Sequence, residues 1–129
     1  MSPNALTDDL RRLIFAIPSI PHLEALLLMR REPQDWEAPR LAQRLYLPTE
    51  RAAHILADLL AAQLCSPVED AAGAYRYAPA PETEALVESL QRYYSSHLIE
   101  VTNMIHTNSR PHSRIREFAD AFKWRKRKP

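Results

Sequence analysis

The sequence holds one glycine, Gly73, and one cysteine, Cys65, in 129 residues. Phosphate-cradling loops of the P-loop or dinucleotide-binding kind need several glycines where backbone approaches a ligand, so those chemistries are excluded. A single thiol forms no internal disulfide, which leaves no oxidative staple and points to a cytoplasmic location. No stretch reaches the roughly 18 consecutive apolar residues of a membrane span. The first residues lack the charged-then-apolar pattern of a secretory signal, and the short amphipathic, basic helix expected at about 113–125 carries too little apolar area for stable binding to an anionic membrane surface, so no membrane is expected as a partner. The five histidines, His22, His54, His97, His106 and His112, include no pair spaced i, i+4, and Cys65 stands near none at zinc spacing. His97 and Glu100 share a helix face, but two ligands make no site, and neither a metal nor a cofactor is expected. Cys65, just past an apolar helical run, reads as a small buried hydrophobe rather than a nucleophile. The acid pairs Asp8-Asp9 and Glu82/Glu84 fall at helix starts, where they complement the helix dipole. No constellation looks catalytic, and no enzyme is expected.

What is present is a soluble-protein balance of 46% apolar and 26% charged residues, of a length suited to one domain with a tail. Eleven prolines punctuate it into helical segments. Leu6, Leu10, Leu13, Ile14 and Ile17 recur at spacings of three and four, one stripe of a first helix capped by Ser2-Pro3 and stopped by Pro18. A second helix begins near Pro21, turns Leu23, Leu26, Leu27 and Met29 inward, and ends before Pro33. Asp35 and Pro39 open a short third helix that buries Leu41, Ala42 and Leu45. Thr49, after Pro48, is a suitable N-cap for a fourth helix with Ala52, Ile55, Leu56, Leu59 and Leu60 inward and Leu64 just beyond. Only residues 68–77 read as sheet. A polar turn, Glu69 to Gly73, precedes Tyr75 and Tyr77 on one side and Arg76 on the other, the alternation of a short hairpin.

Helix, short helix, turn, longer helix and hairpin is the order of a winged helix-turn-helix. The residues that carry it are Leu41-Ala42-Gln43-Arg44-Leu45, Leu47-Pro48-Thr49, the fourth-helix stripe, and Gly73-Ala74-Tyr75-Arg76-Tyr77. Over residues 20–78 the chain resembles small bacterial winged-helix transcriptional regulators of the MarR and PadR groups. It departs at Gln63, where those regulators usually carry glycine, so the fourth helix is expected to end differently. The resemblance implies that the start and outward face of the fourth helix enter the major groove of double-stranded DNA while the wing touches backbone. That nominates Thr49, Glu50, Arg51, Ala53 and His54, with Arg76 on the wing and Arg40 and Arg44 as phosphate contacts. Charge opposes this reading, because residues 20–78 hold six basic and eight acidic residues. Phosphate neutralisation supplies most non-specific DNA affinity. Glu50, Asp58, Glu69 and Asp70 are the acids expected to keep DNA away, which leaves a protein partner as the alternative.

Residues 82–107 contain no glycine or proline and read as one helix of roughly 39 Å. Leu86, Leu90, Tyr94, Leu98, Val101 and Ile105 form an apolar stripe along it, widened by Val87, Tyr93 and Met104. So long a stripe outruns a small core, and a second copy of the chain is the simplest partner, giving a homodimer; packing against the first helix is the other solution. After a break at Ser109-Arg110-Pro111, Ile115, Phe118 and Phe122 share one face of a last helix that is otherwise basic. Residues 111–129 carry seven basic residues (Arg114, Arg116, Lys123, Arg125, Lys126, Arg127, Lys128) and two acids, against ten and fourteen in residues 1–110. The run Lys123 to Lys128 is therefore a candidate arm on DNA. The expected architecture is mainly α with a small β-hairpin. It comprises an N-terminal helix over 1–19, the winged core over 20–78, the long dimerisation helix over 82–107, and a basic C-terminal helix and tail over 111–129.

Overall fold

Thr7 sets the start of the first helix. Its Oγ1 accepts the Leu10 N–H at 3.1 Å, an N-cap worth about 1 kcal/mol, and Asp8 and Asp9 fill the first turn. In the computed structural model, which describes residues 6–107, helix α1 therefore spans Asp8–Ala16. Ser2 and Pro3, the expected cap, lie outside the described residues. Helix α2 covers Ile20–Arg31, strand β1 Trp36–Glu37, helix α3 Ala38–Leu45 and helix α4 Thr49–Ala61. Strands β2, Cys65–Pro67, and β3, Ala74–Tyr77, precede helices α5, Pro81–Ser96, and α6, Leu98–Thr107. The fold is mainly helical with one small antiparallel sheet, and the described chain divides into two contact units, residues 21–79 and residues 6–20 with 80–107.

In the first unit, α2 is buried on almost every side (His22, Leu23, Ala25, Leu26, Leu27, Leu28 and Met29), more completely than a one-sided stripe requires. Helix α3 packs on α4, with Leu41 and Ala42 buried and Leu45 only half-buried. The alanine lets the two helices approach. The sheet has three strands in the order β1-β3-β2, one more than the hairpin expected from the sequence. Trp36 pairs with Tyr75 and Glu37 with Ala74, a register too short to produce a readable alternation. In the hairpin, Cys65 faces Tyr77, Ser66 faces Arg76 and Pro67 faces Tyr75. Pro67 is tolerated because β2 is an edge strand. Gly73, at φ 84°, closes the turn.

Both ends of α4 depart from what the sequence predicts. Thr49 is the first helical residue of α4 and not its cap. Pro48, at φ −61° and ψ 147°, takes the cap position, and its carbonyl accepts the Ala52 N–H at 3.1 Å. Gln63, in turn, does not force a different ending. It adopts the left-handed conformation at φ 63°, Leu64 N–H bonds Leu59 O (3.0 Å), and Gln63 N–H bonds Leu60 O (2.9 Å). Leu59 and Leu64 are both buried, completing the hydrogen-bond and apolar pattern of a glycine-type terminus on a glutamine.

In the second unit, α1 packs against both α5 and α6. The single helix expected over 82–107 is broken at His97, whose φ −133° and ψ 47° are not helical. Three successive side chains bond the backbone at the break. Ser95 Oγ and Ser96 Oγ donate to the carbonyls of Gln91 and Arg92 (2.9 and 3.3 Å), and His97 Nδ1 lies 3.2 Å from the carbonyl of Tyr93. Side chains that bond carbonyls four residues back compete with the helical ladder and bend it. Across the break, Tyr93 stacks on His97 with centroids 4.0 Å apart and donates its hydroxyl to Glu100 Oε1 at 2.8 Å. Burial, with Glu100 second, holds the Tyr93 phenol above its usual range. Of the stripe assigned to a dimer, Leu90, Val101 and Ile105 are buried in the single chain, Leu86 and Tyr94 are half-buried, and Leu98 is 54% exposed.

Candidate nucleic-acid interface

The geometry of α4 follows from its apolar period. With Ala52, Ile55, Leu56 and Leu59 inward, the side chains of Thr49, Glu50, Arg51, Ala53, His54 and Ala57 are exposed. Asp58 does not join them. Its Oδ2 lies 2.7 Å from His22 Nε2 on α2, and both side chains are largely buried. The acid expected to guard the outer face of α4 thus ties two helices together, leaving Glu50 as the one carboxylate on the exposed face of α4. Arg51 and His54 project from adjacent turns of that face.

Arg40 and Arg44 are both exposed on α3, one turn apart, and their guanidiniums sit 5.6 and 5.7 Å from the buried Trp36 ring. Trp36 is fixed by its indole N–H, which donates to Glu32 O at 3.0 Å. Arg44 donates Nη1 and Nη2 to the two Glu32 carboxylate oxygens, at 2.6 and 2.7 Å. This hydrogen bonding holds the Glu32 carboxyl below its usual range and the guanidinium above its own. Arg76 donates Nε (3.0 Å) and Nη2 to Asp35 Oδ1. Two of the nominated phosphate contacts are therefore already engaged by carboxylates, whereas Arg51 has no ionic partner among the described residues. Glu69 and Asp70 are exposed in the hairpin turn. A groove of about 440 Å³ runs between the start of α3 and that turn, lined by Asp35, Glu37, Arg40 and Gln43 among others. The nominated tail residues Lys123, Arg125, Lys126, Arg127 and Lys128 lie outside the described residues.

Sequence reasoning missed Glu32 and the placement of Trp36 beneath Arg40 and Arg44, and it put Asp35 only at the opening of the third helix, from which β1 separates it. Glu32 reaches Arg44 across twelve residues and Asp35 reaches Arg76 across forty-one, separations that no periodicity reveals. It also missed Tyr46, 94% exposed and left-handed at φ 59° in the link between α3 and α4. Elsewhere, burial pushes the Cys65 thiol up to about 12, so it is no nucleophile at neutral pH. Among the described residues no group of three metal-ligating side chains occurs, and no single helix is long and apolar enough to cross a membrane. No protein-family model, no curated protein and no solved structure matches the chain.

Proposed function

We propose that residues 21–79 form a winged helix-turn-helix and that the protein is a non-enzymatic, cytoplasmic, DNA-binding transcriptional regulator similar to the MarR and PadR groups. The observation that carries the reading is the order helix–strand–helix–helix–hairpin with β1 paired to β3, which supports reading β2 and β3 as a wing beside α4. In this reading α4 enters the major groove with Arg51 and His54 nearest the bases, and Thr49 at the helix start meets backbone. Arg40 and the tail from Lys123 to Lys128 supply phosphate contacts. The removal of Asp58 from the outer face favours it. The protein acts as a homodimer that sets two α4 helices in successive grooves. Because Leu90, Val101 and Ile105 are covered, the second copy must use Leu86, Tyr94 and Leu98 with the 75%-exposed Ile99.

The second reading, a winged-helix adaptor that binds a protein and not DNA, is favoured by the ion pairs on Arg44 and Arg76. Binding of the whole chain to random-sequence duplex DNA at about 50 and 200 mM salt separates the two. Binding that weakens steeply with salt, and weakens further in Arg51→Ala, supports the regulator. Absence of binding at the lower salt removes it in favour of the adaptor.

A further inference from the structure

The four-residue link between α2 and β1 carries two acids, Glu32 and Asp35, and each meets an arginine from a different element. Glu32 takes both terminal nitrogens of Arg44 on α3, and Asp35 takes Nε and Nη2 of Arg76 on β3. Trp36, directly after Asp35, lies under Arg44 and Arg40, so the guanidinium of Arg44 is held beside its carboxylate from a second direction. Both pairs are exposed: the side chains are 39% and 41% accessible for Arg44 and Glu32, and 61% and 43% for Arg76 and Asp35. Exposed pairs of this kind add little to folding. Their larger consequence is that two of the six basic side chains in residues 21–79 present no net positive charge to solvent.

We propose that Glu32 and Asp35 form a charge screen that cancels Arg44 and Arg76 and thereby limits adherence of this protein to DNA of arbitrary sequence. The inference rests on the DNA-binding reading and names the residues that set its non-specific component. Affinity for phosphate scales with the number of cations that displace counterions, with a salt slope of about 0.9 per contact. A carboxylate that already holds the guanidinium subtracts that contact, and its amide replacement restores it. The amide keeps the shape and much of the hydrogen bonding, so the pair geometry changes little while the charge changes by one.

The test compares the full chain with Glu32→Gln, Asp35→Asn and the double variant on random-sequence duplex DNA at about 50 and 200 mM salt. From the slope per contact, the double variant should bind more tightly at the lower salt and lose about tenfold more affinity across that interval than the unchanged chain. The charge-matched variant Glu32→Gln with Arg44→Gln should return toward the unchanged slope, which a purely structural role for Glu32 would not produce. Binding by the unchanged chain with equal or weaker binding by the variants overturns the screen and leaves the DNA reading standing; weaker binding would make the acids positioning residues that orient the guanidiniums. No binding by any of them, with thermal midpoints unchanged, overturns the screen and the DNA reading together.

Discussion

Two side chains sit where glycine would cost less. Gln63 and Tyr46 both occupy the left-handed region, at φ 63° and φ 59°, and Tyr46 is almost wholly in solvent. A side chain there costs about 1–2 kcal/mol, of which a glycine returns roughly half after its greater freedom in the unfolded chain is counted. Gln63→Gly is expected to stabilise the protein by about 0.5–1 kcal/mol, visible as a higher urea midpoint; a lower midpoint would mean that the glutamine makes contacts worth more than its strain. Cys65 gives a pH dependence of definite sign. Its folded thiol stays protonated to about 12, while the unfolded thiol titrates near 9, so the unfolded chain releases the proton first. The Cys65 contribution is therefore constant below about pH 9 and declines between 9 and about 12, by up to about 1.4 kcal/mol per unit. Urea titrations at pH 8 and pH 10 should show the unchanged chain losing more stability than Cys65→Ala, and parallel losses would refute the assignment.

At the scale of elements, α4 is both the candidate reading helix and a core element, and its orientation depends on more than its apolar stripe. The Asp58–His22 contact joins it to α2 in a largely buried setting. Asp58→Ala leaves the imidazole without that partner and should cost about 1–3 kcal/mol in urea unfolding. The double variant with His22→Ala should lose less than the sum of the two single losses, as two residues in one contact do. Additive losses would show that the contact contributes no coupling. The break between α5 and α6 carries the same lesson in reverse. Apolar spacing from Leu86 to Ile105 is helical throughout, yet Ser95, Ser96 and His97 turn successive side chains back onto the carbonyls of the preceding turn. Periodicity reports which face is apolar and is silent about where the ladder is interrupted.

For the molecule as a whole, charge is what separates the proposed DNA reading from the adaptor reading. The exposed cations described on the α3–α4 side are few once Arg44 and Arg76 are counted as engaged, which places weight on the seven basic residues after Pro111. A chain ending at Arg110 is expected to bind random-sequence DNA more weakly and with a shallower salt slope than the full chain. An unchanged slope would move the electrostatic contact to Arg40 and Arg51. Part of the architecture is legible in the sequence: the boundaries of α2, the inward residues Ala52, Ile55, Leu56 and Leu59 of α4, and the turn at Gly73 with its return strand follow from spacing and turn chemistry, whereas β2, at Cys65–Pro67, lies before the residues 68–77 that read as sheet. The candidate site was legible only as a set of exposed positions, since a period fixes which way Arg51 and His54 point but not which neighbour meets Arg44.

Helical character, apolar faces and turns follow from the order of residues, because each depends on neighbours within a few positions of one another. The third strand, the inward turn of Asp58, the engagement of Arg44 by Glu32 and of Arg76 by Asp35, and the burial of half the stripe from Leu86 to Ile105 arise only in the folded chain. Each of these joins groups from separate elements, and a hydrogen bond or an ion pair depends on distance in space, which local spacing does not encode.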